Sequence, residues 1–452
     1  FHDPADVVLL RSQLLDWYDK EKRELPWRTL AVTESDLNIR TYAVWVSEIM
    51  LQQTQVATVI DYYNKWMKRW PTVQDLAATT LEEVNQMWAG LGYYSRGKRL
   101  HEGAQKVVSE LEGQMPRTVD SLLKQLPGVG RYTAAAVGSI ALGQVTGAVD
   151  GNLIRVLCRL RAIGADSTSP AVTQALWSLA NTLVDPERPG DFNQAMMELG
   201  ARVCSPKGPQ CSQCPIRSHC HSFRKVKRIR HAELLPWKLL GKQDRKPSMP
   251  PDIEDCMNSG TCPLCPSEPW DDELGVQNFP RKPAKKPPRV ERTLTCVVIR
   301  PGERGEGEFL LTQRPSKGLL AGLWEFPSLL LEEKSSEMKQ KRALCAQISE
   351  ILGTHLTESL LQYVGEVVHI FSHIHQTYMV HSVCVKDADT HTQTEKVQWL
   401  SRSALQEAAV STGVKKVFIL SFRECEGQLY AADGGSRQLS LSSFFNTVKQ
   451  EA

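Results

Sequence analysis

Four cysteines crowd into one short segment, and few features restrict a fold so tightly. Cys204, Cys211, Cys214 and Cys220 follow the spacing C-x6-C-x2-C-x5-C. Thiolates this close in sequence converge on one centre, so the chain around them must close into a loop. An iron–sulfur cluster or a zinc ion would suit four thiolates. Cys256, Cys262 and Cys265 make a second group, C-x5-C-x2-C. Three thiolates want a fourth ligand for tetrahedral zinc. The other cysteines are scattered. That is a metal pattern rather than a disulfide framework, and it fits a reducing intracellular compartment.

Leu126-Pro127-Gly128-Val129-Gly130-Arg131-Tyr132 is a tight Pro-Gly turn leading into an Ala-rich helical run, Thr133 to Leu142. Its glycines, Gly128 and Gly130, need positive φ or admit another backbone at close range. The amides that open the helix present the positive end of its dipole, a seat for an anion such as a DNA phosphate. Asp150 follows in Val149-Asp150-Gly151-Asn152. The net charge of +3 is too small to imply nucleic acid by itself, so any basic surface must be local. No apolar run is long enough to predict a membrane span.

A length of 452 residues predicts two or three domains. Residues 1–222 read as all-α. Leu9, Leu10, Leu14, Leu15 and Tyr18 recur at helical spacing. Further helical runs cover roughly 41–68, 81–89, 97–111, 118–126, 131–142, 150–163, 171–184 and 192–201. Residues 223–292 are a connector rich in basic residues and proline, either a solvated spacer or a basic strap along a DNA backbone. Residues 293–421 form a separate α/β domain. Its strands fall in Thr295–Ile299, Glu308–Thr312 and Val364–Val385, with helices near 335–352 and 402–410. Residues 422–452 read as a flexible tail.

Glu48 lies in Trp45-Val46-Ser47-Glu48-Ile49-Met50-Leu51-Gln52-Gln53-Thr54-Gln55, which reads as an apolar helix start. A lone helical Glu is ordinarily on a solvated face. Here desolvation would raise its pKa and keep it protonated. Together, this run, the Pro-Gly hairpin with its downstream Asp150, Leu25-Pro26-Trp27-Arg28, Gly90-Leu91-Gly92-Tyr93-Tyr94-Ser95-Arg96 and the cysteine spacing resemble the adenine glycosylases of the helix-hairpin-helix superfamily. The spacing is also similar to that of the 4Fe-4S loop of the endonuclease III branch.

That resemblance implies a helix-hairpin-helix catalytic domain with a 4Fe-4S cluster loop, in which Arg202, Lys207 and Arg217 can meet phosphate. Glu48 would protonate adenine N7 and help activate water. Asp150 would stabilise the oxocarbenium-like sugar or trap it covalently, and Asn152 would hydrogen-bond to Asp150. The relatives that also cleave the strand carry a Schiff-base lysine where this chain has Tyr132, which implies a monofunctional enzyme. Leu25, Trp27, Arg28 and Gln194 would line an adenine pocket. Tyr93 would wedge into the base stack, with Gln53 reading the gap. The second cysteine group, Cys256, Cys262 and Cys265, would hold one zinc ion, with His2 or a residue before Phe1 as its fourth ligand.

Gly322-Leu323-Trp324-Glu325-Phe326-Pro327 resembles the entry to a Nudix fold. The following helix lacks the acidic cluster that holds magnesium, so this domain would bind rather than hydrolyse. Val367 to His375 is similar to the 8-oxoguanine-reading loop of the adenine glycosylases, with Phe371, Ser372 and His373 against the damaged base. A metal site from His369, His373 and His375 is the rival reading. Gln438, Leu441, Phe444 and Phe445 fit the Q-x-x-L-x-x-F-F pattern of partners of the sliding clamp PCNA. The resemblance further implies double-stranded DNA with an A:8-oxoguanine mispair as substrate. It also implies contacts of the connector with an AP endonuclease and the checkpoint clamp, a monomeric state, and a nuclear location with a mitochondrial form. The rivals are a pyrimidine-damage glycosylase/lyase, a Nudix hydrolase of oxidised nucleotides, and an inactive scaffold that recruits the clamp.

Overall fold

The leucines near the N-terminus build the first helix, α1 (Pro4–Glu21). Asp3 caps it, accepting from the Ala5 amide at 2.8 Å. Val7, Leu10, Leu14, Leu15 and Tyr18 face inward, whereas Leu9 is exposed. The structure, a computed structural model, describes residues 3–233, 262–265, 268–280, 287–302, 307–315, 317–331, 336–371, 373–385 and 396–429. Contacts divide the chain into two units, Phe1–Val84 with Arg96–Lys285, and Asn85–Ser95 with Lys286–Ala452.

The first unit is helical. After α1 come α2 (Pro26–Thr33), α3 (Leu37–Leu51), α4 (Val56–Arg69), α5 (Val73–Ala78) and the start of α6 (Leu81–Trp88). Then follow α7 (Ser95–Glu110), α8 (Val119–Gln125), α9 (Arg131–Leu142), α10 (Gly151–Arg161), α11 (Pro170–Leu183), α12 (Pro189–Arg202) and α13 (His221–Glu233). The expected single run over 41–68 is therefore two helices. The break falls at the polar Gln52–Gln55, where Gln53 takes φ 56°. The buried Arg96 guanidinium donates to the carbonyls of Ile49, Met50 and Gln52, which ends α3 there. The core joins α1, α9, α10, α11 and α12 through residues such as Leu14, Ala136, Leu157, Leu176 and Leu199.

The second unit holds a seven-stranded mixed sheet. Its strands are β1 (Arg289–Pro301), β2 (Gly307–Gln313), β3 (Trp324–Glu325), β4 (Ser328–Leu330), β5 (Gln362–Ile370), β6 (Ile374–Cys384) and β7 (Val397–Ser401). The order is β3-β2-β1-β6-β5, with β4 also on β1 and β7 on β2. Among the strand pairs of the described residues, β1 and β6 run parallel and the others antiparallel. Helix α14 (Glu337–Leu352) buries Leu344, Ile348 and Leu352 with the sheet residues Leu294, Cys296 and Val298. The sequence β-run 364–385 resolves into β5 and β6 as a hairpin. Beyond α15 (Arg402–Glu407), α16 (Thr412–Leu429) crosses the tail boundary that composition placed after residue 421. Asn85–Ser95 groups with this unit, which composition did not foretell. There the Tyr94 hydroxyl donates to the Val410 carbonyl at 3.4 Å.

One close approach in the first unit sets the spacing of α10 and α12. A Cβ added to Gly200 on α12 would stand 2.7 Å from the Cβ of Asn152 at the start of α10. The substitution Gly200→Ala must push the two helices apart. We expect it to destabilise the protein by about 1–3 kcal/mol, read as a lower urea midpoint at unchanged slope.

Candidate active site

Asp36 fixes the start of α3, accepting from the amides of Asn38 at 2.6 Å and Ile39 at 3.3 Å. This places Glu48 in the last turn of the helix, not near its start as the sequence reading had it. Glu48 thus stands near the negative end of the helix dipole, which favours a protonated carboxyl. It is buried, and burial pushes its pKa up to about 7. A hydrogen bond from Tyr132 opposes that rise, the charge of Asp150 adds to it and the charge of Arg28 opposes it. The Tyr132 hydroxyl donates to Glu48 Oε2 at 2.6 Å.

Asp150 occupies the opposite kind of place. It caps α10, where its Oδ1 accepts from the Leu153 amide at 2.7 Å and its Oδ2 from Asn152 Nδ2 at 2.8 Å. Burial raises its pKa too, but these donors and the positive end of the helix dipole pull towards the anion. One carboxyl is arranged to keep a proton and the other to lose it, and both line one cavity of about 500 Å³.

That cavity also brings together Leu25, Trp27, Arg28 and Gln194, all four expected at an adenine pocket. Trp27 is both wall and core, since it is buried with its ring 5.5 Å from that of Tyr63. Gln53 lines the same cavity and is itself exposed. The sequence reading missed Glu198, Met197 and Arg155. Glu198 follows Gln194 by one helical turn, and that spacing could have flagged it.

The hairpin ahead of α9 behaves differently at its two glycines. Gly128 has φ +76°, and a Cβ there would meet Arg99 Cδ at 2.8 Å. Gly130 caps α9 with ordinary φ −92°, and a Cβ there would meet no protein atom within 4 Å. Gly130 therefore leaves the helix amides open to approach from outside. In the second unit Tyr93 is exposed and holds φ 48°. The β5–β6 hairpin carries Phe371, whose amide donates to Ile374 O at 2.8 Å and whose ring lies 4.5 Å from that of His369. His373 is exposed at the same turn, and Ser372 lies outside the described residues.

The four cysteines of the first group line one small cavity with Val203, Phe223 and Val276. A zinc ion would draw its sulfurs to about 2.3 Å of one point. Among the described residues no three Cys, His, Asp or Glu side chains are placed to hold one metal ion, the trio His369, His373 and His375 included. Four thiols around one cavity are a donor set for a metal centre. Burial pushes Cys214 up to about 12 and Cys220 to about 11, and neighbouring sulfurs raise both. A cationic centre is what would hold them as thiolates. Helix α10 braces this loop. Arg155 donates to Cys204 O at 2.8 Å and to Asn152 Oδ1 at 2.8 Å, and Arg159 donates to Cys204 Sγ at 3.3 Å. Of the second group, Cys262 and Cys265 form a tight turn in which the Cys265 amide donates to Cys262 O at 3.3 Å. Cys256, His2, Gln438, Leu441, Phe444 and Phe445 lie outside the described residues.

Because burial raises Glu48 in the folded chain, charging it opposes folding. Its stability contribution is full below about pH 4.5 and is lost as pH rises through about 7. The Glu48→Gln variant escapes that loss. We expect it to be the more stable protein at about pH 8.5, by about 3 kcal/mol, with the difference shrinking as pH falls to about 4.5. Urea unfolding at the two pH values checks this. A difference that did not change with pH would remove the buried charge as its cause.

Residues 46–182 match the model of the HhH-GPD superfamily base excision DNA repair proteins, and residues 296–420 match the NUDIX domain. An adenine DNA glycosylase of Mus musculus is 56% identical over 421 residues, covering 92% of this chain and 79% of the relative. One from Homo sapiens is 55% identical over 447 residues, covering 98% of this chain and 79% of the relative. Among solved structures, the C-terminal domain of mouse MUTYH in complex with human PCNA is 39% identical, covering 34% of this chain and 97% of that chain, with a TM-score of 0.27. With identity this high over nearly its whole length, the chain belongs to the adenine DNA glycosylase family.

Proposed function

We propose that this chain excises adenine mispaired with 8-oxoguanine in duplex DNA, by hydrolysis of the N-glycosidic bond and without strand cleavage of its own. The observation that carries the reading is the placement of Glu48 and Asp150 at opposite helix ends in one cavity, with Tyr132 bonded to Glu48. A base inside a duplex is out of reach, so it must first be flipped into that cavity. Glu48 donates its proton to N7 of the adenine. The C1′–N9 bond breaks, and its electron pair leaves with the base. Asp150 as an anion faces the positive sugar carbon. Water adds there, and its proton returns to a carboxylate. Tyr132 offers no amine, so no imine forms at that position.

Cys204, Cys211, Cys214 and Cys220 would hold a 4Fe-4S cluster, which when bound ties the loop after α12 into a fixed shape. Cys256, Cys262 and Cys265 would hold zinc. Phe371, Ser372 and His373 would read the 8-oxoguanine, with Tyr93 in the stack. Gln438, Leu441, Phe444 and Phe445 would dock on PCNA, and the protein would act in the nucleus, with a mitochondrial form. The α/β unit reads as a binding module, since α14 carries only Glu337 and Glu350 as acids.

Duplexes with A opposite 8-oxoguanine, A opposite T, or thymine glycol test the reading. We expect base release from the first alone, with strand breaks only after alkali. Glu48→Gln and Asp150→Asn should each slow release by about 100-fold or more. Full activity in either would sink the mechanism. For the cluster, Cys214→Ala should lose bound iron, measured by metal analysis. Unchanged iron content would remove that cysteine from the ligand set.

A further inference from the structure

The base pocket has a floor that the catalytic pair does not explain. Helix α12 sets Gln194 and Glu198 one turn apart on one face. Arg28 of α2 lies against both. Its Nε donates to Gln194 Oε1 at 3.1 Å, its Nη2 to Glu198 Oε2 at 2.9 Å and its Nη1 to Arg23 O at 3.0 Å. Arg23 grips the same carboxylate, through Nε at 2.7 Å and Nη2 at 2.9 Å. Arg202 reaches to 3.8 Å. The Glu198 side chain is wholly inaccessible.

We propose that Glu198 is a positioning residue of the base pocket, which clamps Arg28 and neutralises its charge so that Glu48 remains able to donate a proton. The inference rests on the reading of Glu48 as that donor. The charged and titratable groups that face Glu48 are Tyr132 from α9, Asp150 at the start of α10 and Arg28 from α2. Behind Arg28 stand Glu198 and Arg23, and Arg155 faces Asp150. Arg23 and Arg202 are more than a third exposed, so water screens them. Arg28 is only 13% exposed and opens onto the cavity, where screening is weak. Its positive charge favours loss of the Glu48 proton, and Glu198 is the anion that cancels it. The same clamp fixes Gln194, because the amide oxygen that receives Arg28 Nε leaves the amide nitrogen to donate.

The test is single-turnover excision by the full chain on A:8-oxoguanine duplex, from about pH 5.5 to about pH 9. In Glu198→Gln the descending limb should move to lower pH. The rate should fall roughly tenfold or more at the alkaline end and less than about threefold at the acid end. The double variant Glu198→Gln with Arg28→Gln should return the limb towards its wild-type position, because the uncancelled charge is gone. A uniform loss at every pH, or no loss, overturns the proposal. If Glu198→Gln does not fold by thermal unfolding, Arg28→Gln alone decides. Its limb should move to higher pH, and a limb that stays or falls overturns the proposal. A wild-type profile whose descending limb does not belong to Glu48 would instead overturn the reading of Glu48.

Discussion

A buried carboxyl and a half-buried one in one cavity cannot both be charged at low cost, and the helices help decide which one is. Glu48 hangs from the last turn of α3, where burial and the negative end of the helix dipole favour a proton on it. Asp150 caps the first turn of α10, where the Leu153 amide favours the anion. Glycosidic cleavage asks for this division, an acid for the base and an anion for the sugar. Much of the helical unit serves to keep those two ends together. Arg96 stops α3 just past Glu48, and Gly200 lets α12 lie close to the start of α10.

Helix α10 works at both of its ends. Its cap is Asp150, and its next turns carry Arg155 and Arg159, which grip the loop that begins at Cys204. The cysteine loop and the Asp150 carboxylate therefore share one rigid element. Whatever fills the cysteine cavity sets the loop against which Arg155, and through it Asn152, is held.

The α/β unit is a Nudix architecture without its acidic helix. Its α14 is an amphipathic helix that packs Leu344 and Ile348 on the sheet and shows a Glu337–Lys341 pair to solvent. The β5–β6 hairpin projects Phe371 and His373 instead.

Much of this could be read from the residues. Periodicity gave most of the helices, though not α2, α5, α13 or α16, and the hairpin and cysteine spacings marked the family. Short-range order is written in neighbouring side chains, so Asp36 as a cap and Gly128 as a turn are local facts. The tertiary structure alone decided the rest. It broke the 41–68 run at Gln53 because Arg96, far along the chain, takes the carbonyls there. It turned Glu48 from a residue near a helix start into one near a helix end, which reverses the sign of the dipole it feels. It also brought Arg23, Arg28 and Glu198 to one point from segments about 170 residues apart. No local pattern encodes such pairs, because burial and charge cancellation exist only once the chain has closed around them.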